Sequence, residues 1–118
     1  MARDAITITT IPLNTELEPP AAVTGVAAND LKFTVANTDD QILLQVNNTG
    51  GADHTVTLVT GGTVSGIAIE DVSMVVQAGE TRFYRFWDLS TVWLQPGTSD
   101  VYINIADDTD LKFWAFKL

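Results

Sequence analysis

Asp107, Asp108 and Asp110 place three carboxylates within one short stretch, the kind of oxygen-rich cluster that a hard cation such as Ca²⁺ takes. The ligand spacing of a helix–loop–helix calcium site is missing. Asp-rich stretches also build turns through local hydrogen bonds, so the expectation here, as for Asp39 and Asp40, is a solvated turn. His54 is the only histidine and the chain has no cysteine, which leaves a zinc site to carboxylates and one imidazole. Ser65, Ser73, Ser90 and Ser99 have no evident base to activate them as nucleophiles. Fifteen acidic residues allow some carboxylate pair at glycosidase spacing by chance alone. Gly61, Gly62 and Gly66 stand in a glycine-rich stretch that lacks the lysine and following helix of a phosphate cradle, and it reads as a hairpin loop. Asn47-Asn48-Thr49 matches the N-glycosylation sequon, which counts only in a secreted protein, and the N-terminus lacks the apolar core of a signal peptide. The sequence therefore points to no catalytic residue, no metal, no cofactor and no enzyme.

The side chains that carry more information are aromatic. In an extended Arg82-Phe83-Tyr84-Arg85-Phe86-Trp87, residues Phe83 and Trp87 point one way and Arg82, Tyr84 and Phe86 the other, so both faces carry rings. One face must be core; the other suits a subunit interface, where Tyr, Phe and Arg are enriched. Leu111–Leu118 poses the same question, with Trp114 and Phe116 opposite Phe113. A terminus frays unless it is held, so this segment is expected to be a strand locked into a sheet or a neighbouring subunit.

These segments sit in a pattern of period two: β-branched and aromatic runs separated by Gly, Asn, Asp and Thr clusters. Leu31, Phe33 and Val35 form one apolar face, Ile42, Leu44 and Val46 the next, and Val56 and Leu58 a third, as if in three consecutive antiparallel strands. A short piece around Ile67 and Ile69 follows, then Val72, Met74 and Val76, the aromatic run, and a brief strand at Val92 and Leu94 stopped by Pro96. Val101, Ile103 and Ile105 lead into the terminal strand. About eight strands at this spacing predict an all-β fold, an antiparallel β-sandwich or jelly-roll-like barrel. Residues 1–30 differ, because Pro12, Pro19 and Pro20 interrupt them. They are expected to form an extended N-terminal arm, with residues 31–118 as the sandwich domain.

The chain has 118 residues, enough for one core, and 6 Lys plus Arg against 15 Asp plus Glu. A net charge of -9 with scattered cations opposes polyphosphate binding and an anionic membrane surface, so neither nucleic acid nor membrane is an expected partner. No run approaches the ~18 apolar residues of a membrane-spanning helix.

The start Met1-Ala2-Arg3-Asp4-Ala5-Ile6, the runs Leu31–Asn37 and Ile42–Asn48, the turn Ala78-Gly79-Glu80-Thr81 ahead of aromatics, and the ending Leu111–Leu118 together resemble small virion proteins of tailed bacteriophages, namely head decoration or cement proteins. The resemblance implies a β-sandwich or related barrel on the outer capsid surface of the virion. It would be made in the host cytoplasm, often assemble as a homotrimer, and bind the major capsid protein to brace the shell. The arm would dock by strand addition, with main-chain hydrogen bonds supplying affinity. The expected partner-binding residues are Arg3, Ile6, Ile8, Ile11, Leu13 and Leu17 on the arm and Arg82, Tyr84, Phe86 and Trp114 on the aromatic strands. The competing expectation is an Ig-like or carbohydrate-binding module of a phage tail or fibre, with Trp93 as the sugar-stacking ring.

Overall fold

A computed structural model describes residues 3–13, 16–25, 29–105 and 110–118. In chain order the strands are β1 (Arg3–Ala5), β2 (Ile8–Thr10), β3 (Val23–Thr24), β4 (Asp30–Thr34), β5 (Ile42–Asn48), β6 (His54–Val59), β7 (Thr63–Val64), β8 (Ile67–Ala68), β9 (Val72–Val76), β10 (Thr81–Phe86), β11 (Asp100–Ile105) and β12 (Leu111–Lys117). Two mixed sheets pack face to face as an all-β sandwich. One runs β1-β4-β11-β6-β9; the other runs β10-β5-β12-β2, with β3 also beside β12; β7 and β8 form a separate hairpin.

Alternation of side chains places the core. Leu31 and Phe33 of β4, Ile42, Leu44 and Val46 of β5, Val56 and Leu58 of β6, Val101 and Ile103 of β11, and Leu111 and Phe113 of β12 are all fully sealed between the layers. Each such side chain contributes about 1.5–3 kcal/mol of transfer free energy. The strand faces follow the expected period, but the pairing does not follow chain order. β4, β5 and β6 are not a consecutive antiparallel set: β4 and β6 flank β11 in one sheet while β5 lies between β10 and β12 in the other. Each connection therefore crosses the sandwich, which lets every apolar face turn inward from whichever layer it occupies.

The N-terminal segment also departs from expectation. Rather than an extended arm with little core of its own, it changes layers: β1 pairs in parallel with β4, and two residues later β2 pairs in parallel with β12. Ile6, at the crossing, is buried in the core, its N–H bonded to the Lys32 carbonyl at 2.8 Å. Ile11 N–H still reaches the Lys117 carbonyl at 2.9 Å, after which the chain leaves the sheet edge and returns as β3, paired antiparallel with β12.

Val92 and Leu94 are not a strand. Asp88 adopts φ 56° and turns the chain out of β10 into a π-helical turn at Leu89–Trp93, whose two ends, Leu89 and Trp93, are buried. Trp93 packs edge-on against Phe86 at 4.9 Å and Tyr84 at 5.7 Å between ring centroids, so the spacing of four that puts two large side chains on one side of a turn wins over local β propensity. Gly61 and Gly62 are required beside this turn: both N–H groups reach the Val92 carbonyl, and a Cβ at Gly62 would collide with the Thr91 carbonyl oxygen. The hairpin bend itself lies at Ser65 and Gly66, both at positive φ (52° and 80°), as a tight turn between β7 and β8 needs.

Asn48 closes β5 as the one buried polar residue among those described. Its Nδ2 donates to the Ala52 and Val76 carbonyls at 2.7 and 3.0 Å, and its Oδ1 accepts from Gly50 N–H at 2.9 Å. Its backbone bonds Glu80 and Gly79. Its side chain thereby ties the β5–β6 loop to the end of β9, and its backbone holds the β9–β10 turn.

Candidate interaction surface

β10 is an edge strand, bonded to β5 on one side. Among the described residues, no backbone hydrogen bond outside the β5 ladder involves Thr81–Phe86. Its inward face carries Tyr84 and Phe86, whose rings meet at 5.0 Å, with Phe86 also against Phe33 at 5.3 Å. Burial raises the Tyr84 phenol above its ordinary pKa. The outward face carries Phe83, 58% exposed, and Arg85; beyond the strand's end stands Trp87, 80% exposed. Phe83 lies beside Gln45, which lies beside Trp114, so a row of partly covered side chains runs across the outside of this sheet.

Two of the chain's six cations, Arg82 and Arg85, belong to this strand. Arg82 forks onto Glu80, Nε to Oε1 at 2.8 Å and an η nitrogen to Oε2 at 3.1 Å. That pairing lowers the Glu80 pKa, through the Arg82 hydrogen bond first and a Gln77 backbone bond second, and raises that of Arg82. Arg85 meets the Gln41 side-chain oxygen and, among the described residues, no carboxylate. Past the strand's end a shallow cleft is lined by Asp39, Asp40, Gln41, Arg85, Trp87 and Asp88.

The partner-binding residues expected from sequence divide on these grounds. Ile6 and Phe86 are core and offer nothing to a partner. Ile8 and Tyr84 are half-buried against that core. Arg3 lies over the Tyr102 ring at 3.9 Å and donates to the Leu31 carbonyl at 3.2 Å, a structural role that pins β1. Ile11 is half-buried, and half-buried Trp114 donates its ring N–H to the Pro20 carbonyl at 2.9 Å, anchoring the segment that follows β2. Leu13, Leu17 and Arg82 are exposed. Trp93, the expected sugar-stacking ring, is buried, only 4% exposed, and presents no face to a sugar. Phe83 and Trp87 take the exposed role instead. The residue pattern left both faces of this strand open, and the buried Trp93 four residues after Leu89 is the signal that a ring awaits Tyr84 and Phe86 on their side.

The other constellations are local. Asp39 N–H bonds Asn37 Oδ1 at 3.0 Å and Asn37 N–H bonds Asp40 Oδ2 at 3.2 Å, a self-capped turn whose Asp40 also pairs with Lys117 at 3.5 Å. His54 Nε2 lies 3.4 Å from Asp110 Oδ2; Asp107 and Asp108 lie outside the described residues. The sequon's Asn47 is half-buried and donates to Thr81 Oγ1 at 2.6 Å. Among the described residues no three His, Asp or Glu side chains cluster in a way that holds a metal, and no helix is long and apolar enough to cross a membrane.

Comparison with protein-family models, with curated proteins and with solved structures returned no match.

Proposed function

We propose that this protein is a structural virion component of the decoration or cement type, which binds the major capsid protein on the outer surface of a phage head and stabilises it, as a homotrimer. The observation that supports this reading is the apolar surface left outside the sandwich core, which includes Phe83 and Trp87 by β10 and Leu13 and Leu17 after β2, along with Ile67, Val75 and Leu118. Large exposed apolar side chains on an otherwise acidic surface are what a protein–protein contact covers. Acidity suits the outside of a shell packed with DNA, since like charge opposes contact with the polyanion. Deleting residues 1–20 is a poor test, because it removes Ile6 from the core. The informative measurement is binding of the intact protein to purified expanded heads. Saturation in stoichiometry with shell positions, with raised head stability, is expected. Heads that take up none overturn the reading.

A second reading is favoured by one observation. Trp87 stands beside a cleft whose Gln41, Asp39, Arg85 and Asp88 could hydrogen-bond sugar hydroxyls while the indole stacks on a pyranose face. A glycan array separates the two: selective binding abolished by Trp87→Ala marks a carbohydrate-binding module, and a blank array leaves the structural role.

A further inference from the structure

Beside Ile67, Val75 and Leu118, which are also exposed, two apolar groups belong to opposite sides of one sheet. β10 bounds it on one side and β2 on the other, with Leu13 and Leu17 following β2 in the chain. Three strand spacings separate β10 from β2, roughly 14 Å at ~4.8 Å per pair, with β5 and β12 filling the gap. The two groups are opposite in character. The edge strand carries Arg82 and Arg85 with Phe83 and Trp87; the segment after β2 carries Glu16 and Glu18 with Leu13 and Leu17. Leu13 is 90% exposed and Leu17 38%.

From this complementarity we infer that the open edge of β10 receives the Leu13–Glu18 segment of a second copy of this chain as an added antiparallel strand. Pro12 and Pro19 bracket a proline-free run of six residues, the length of β10 itself, and proline is the residue that cannot donate to a ladder. Direction follows from charge. Asp39, Asp40 and Asp88 surround the Trp87 end, so the glutamates belong at the Arg82 end, which requires antiparallel addition. Sliding the two sequences in that sense aligns Leu17 with Phe83, Leu13 with Trp87 and Glu18 with Arg82. Directly opposed residues share a face, so the leucines cover the rings on the outside of the sheet. Pairing two β10 strands with their outer faces matched instead sets Arg82 against Tyr84 or Phe86 and gives neither arginine a carboxylate directly opposite it. A contact between two different patches is head-to-tail, and it builds a closed ring or a chain of copies. It belongs to the isolated protein and stands whether or not the protein binds a shell.

Native mass spectrometry and light scattering of the purified protein test it. The wild type is expected as a multimer. Phe83→Asp and Leu17→Asp are each expected as folded monomers, both sites being on the surface. Mixing those two variants restores one intact contact, the Leu17 of one with the Phe83 of the other, and gives a 1:1 dimer that grows no further. Because the chain has no cysteine, Leu17→Cys combined with Phe83→Cys is expected to form disulfide-linked ladders on oxidation, while Phe83→Cys alone forms no dimer. A monomeric wild type at high concentration overturns the inference, as do multimers that survive Leu17→Asp. Cross-linking by Phe83→Cys alone does so too, by assigning the edge to a self-pairing β10.

Discussion

β10 and β12 are written in nearly the same residues, and the fold uses them in opposite ways. Both are short, cationic at intervals, and carry rings on both faces. β12 runs through the middle of its sheet, paired along its whole length with β5 and on its other side with β2 and β3. Its outward Phe116 is covered to 8% exposure and Trp114 is tied to Pro20. β10 has one neighbour, and its outward Phe83 stays open. What an aromatic on the outer face of a strand does therefore depends on whether the strand is central or lateral, because only a central strand has chain on both sides to cover it. An uncovered lateral strand is a template for further pairing.

That contrast can be broken at its strongest point by Phe113→Ala. Phe113 is fully buried between the layers, and its truncation is expected to lower stability by about 3–5 kcal/mol through lost transfer energy and a residual cavity. Urea unfolding should show a lower midpoint at an unchanged slope. Asn48→Ala comes next, at about 2–3 kcal/mol, since it leaves the Ala52 and Val76 carbonyls and the Gly50 N–H without their partner. Amide exchange should then quicken at the end of β9 as well as in the β5–β6 loop. Were exchange to quicken in one of these places only, the tie between them would be lost.

On the β10 side the expected stability effects shrink. Phe83→Ser should change the unfolding free energy by about 0.5 kcal/mol or less, as surface substitutions do, in a protein held monomeric by low concentration. A cost comparable to that of Phe113→Ala would mean that the two strands are equivalent after all. The smallest effect is a titration. Burial raises the Tyr84 pKa in the fold, so the neutral phenol is favoured there; its contribution is complete below the ordinary tyrosine range near about 10 and is lost as pH climbs through the folded value. Alkaline difference spectroscopy should find one tyrosine ionising late, and Tyr84→Phe should remove that late step.

Much of the fold was readable as alternation. Leu31-Phe33-Val35, Ile42-Leu44-Val46, Val101-Ile103-Ile105 and Leu111-Phe113 each have one apolar face, and each face is core. Where one face is apolar and the other polar, burial has a single answer. The candidate interface was readable only as a segment. In Arg82–Trp87 both faces carry rings, so alternation separates Phe83 from Phe86 but does not say which turns inward, and the expectation that Phe86 faces a partner was overturned by its packing against Phe33 and Trp93. Ile6 was read as part of an arm because prolines follow it, although its own pairing partners lie far along the chain.

By itself, then, the sequence determined a cysteine-free, acidic, all-β sandwich and which residues of most strands face its core, because side-chain direction in a strand is a local, period-two property. Tertiary structure alone decided which layer each strand joins, that β12 is central and β10 lateral, and that Trp93 fills the space under Tyr84 and Phe86. Those outcomes depend on contacts between residues distant in the chain, where the gain from burying one ring against another outweighs any local preference.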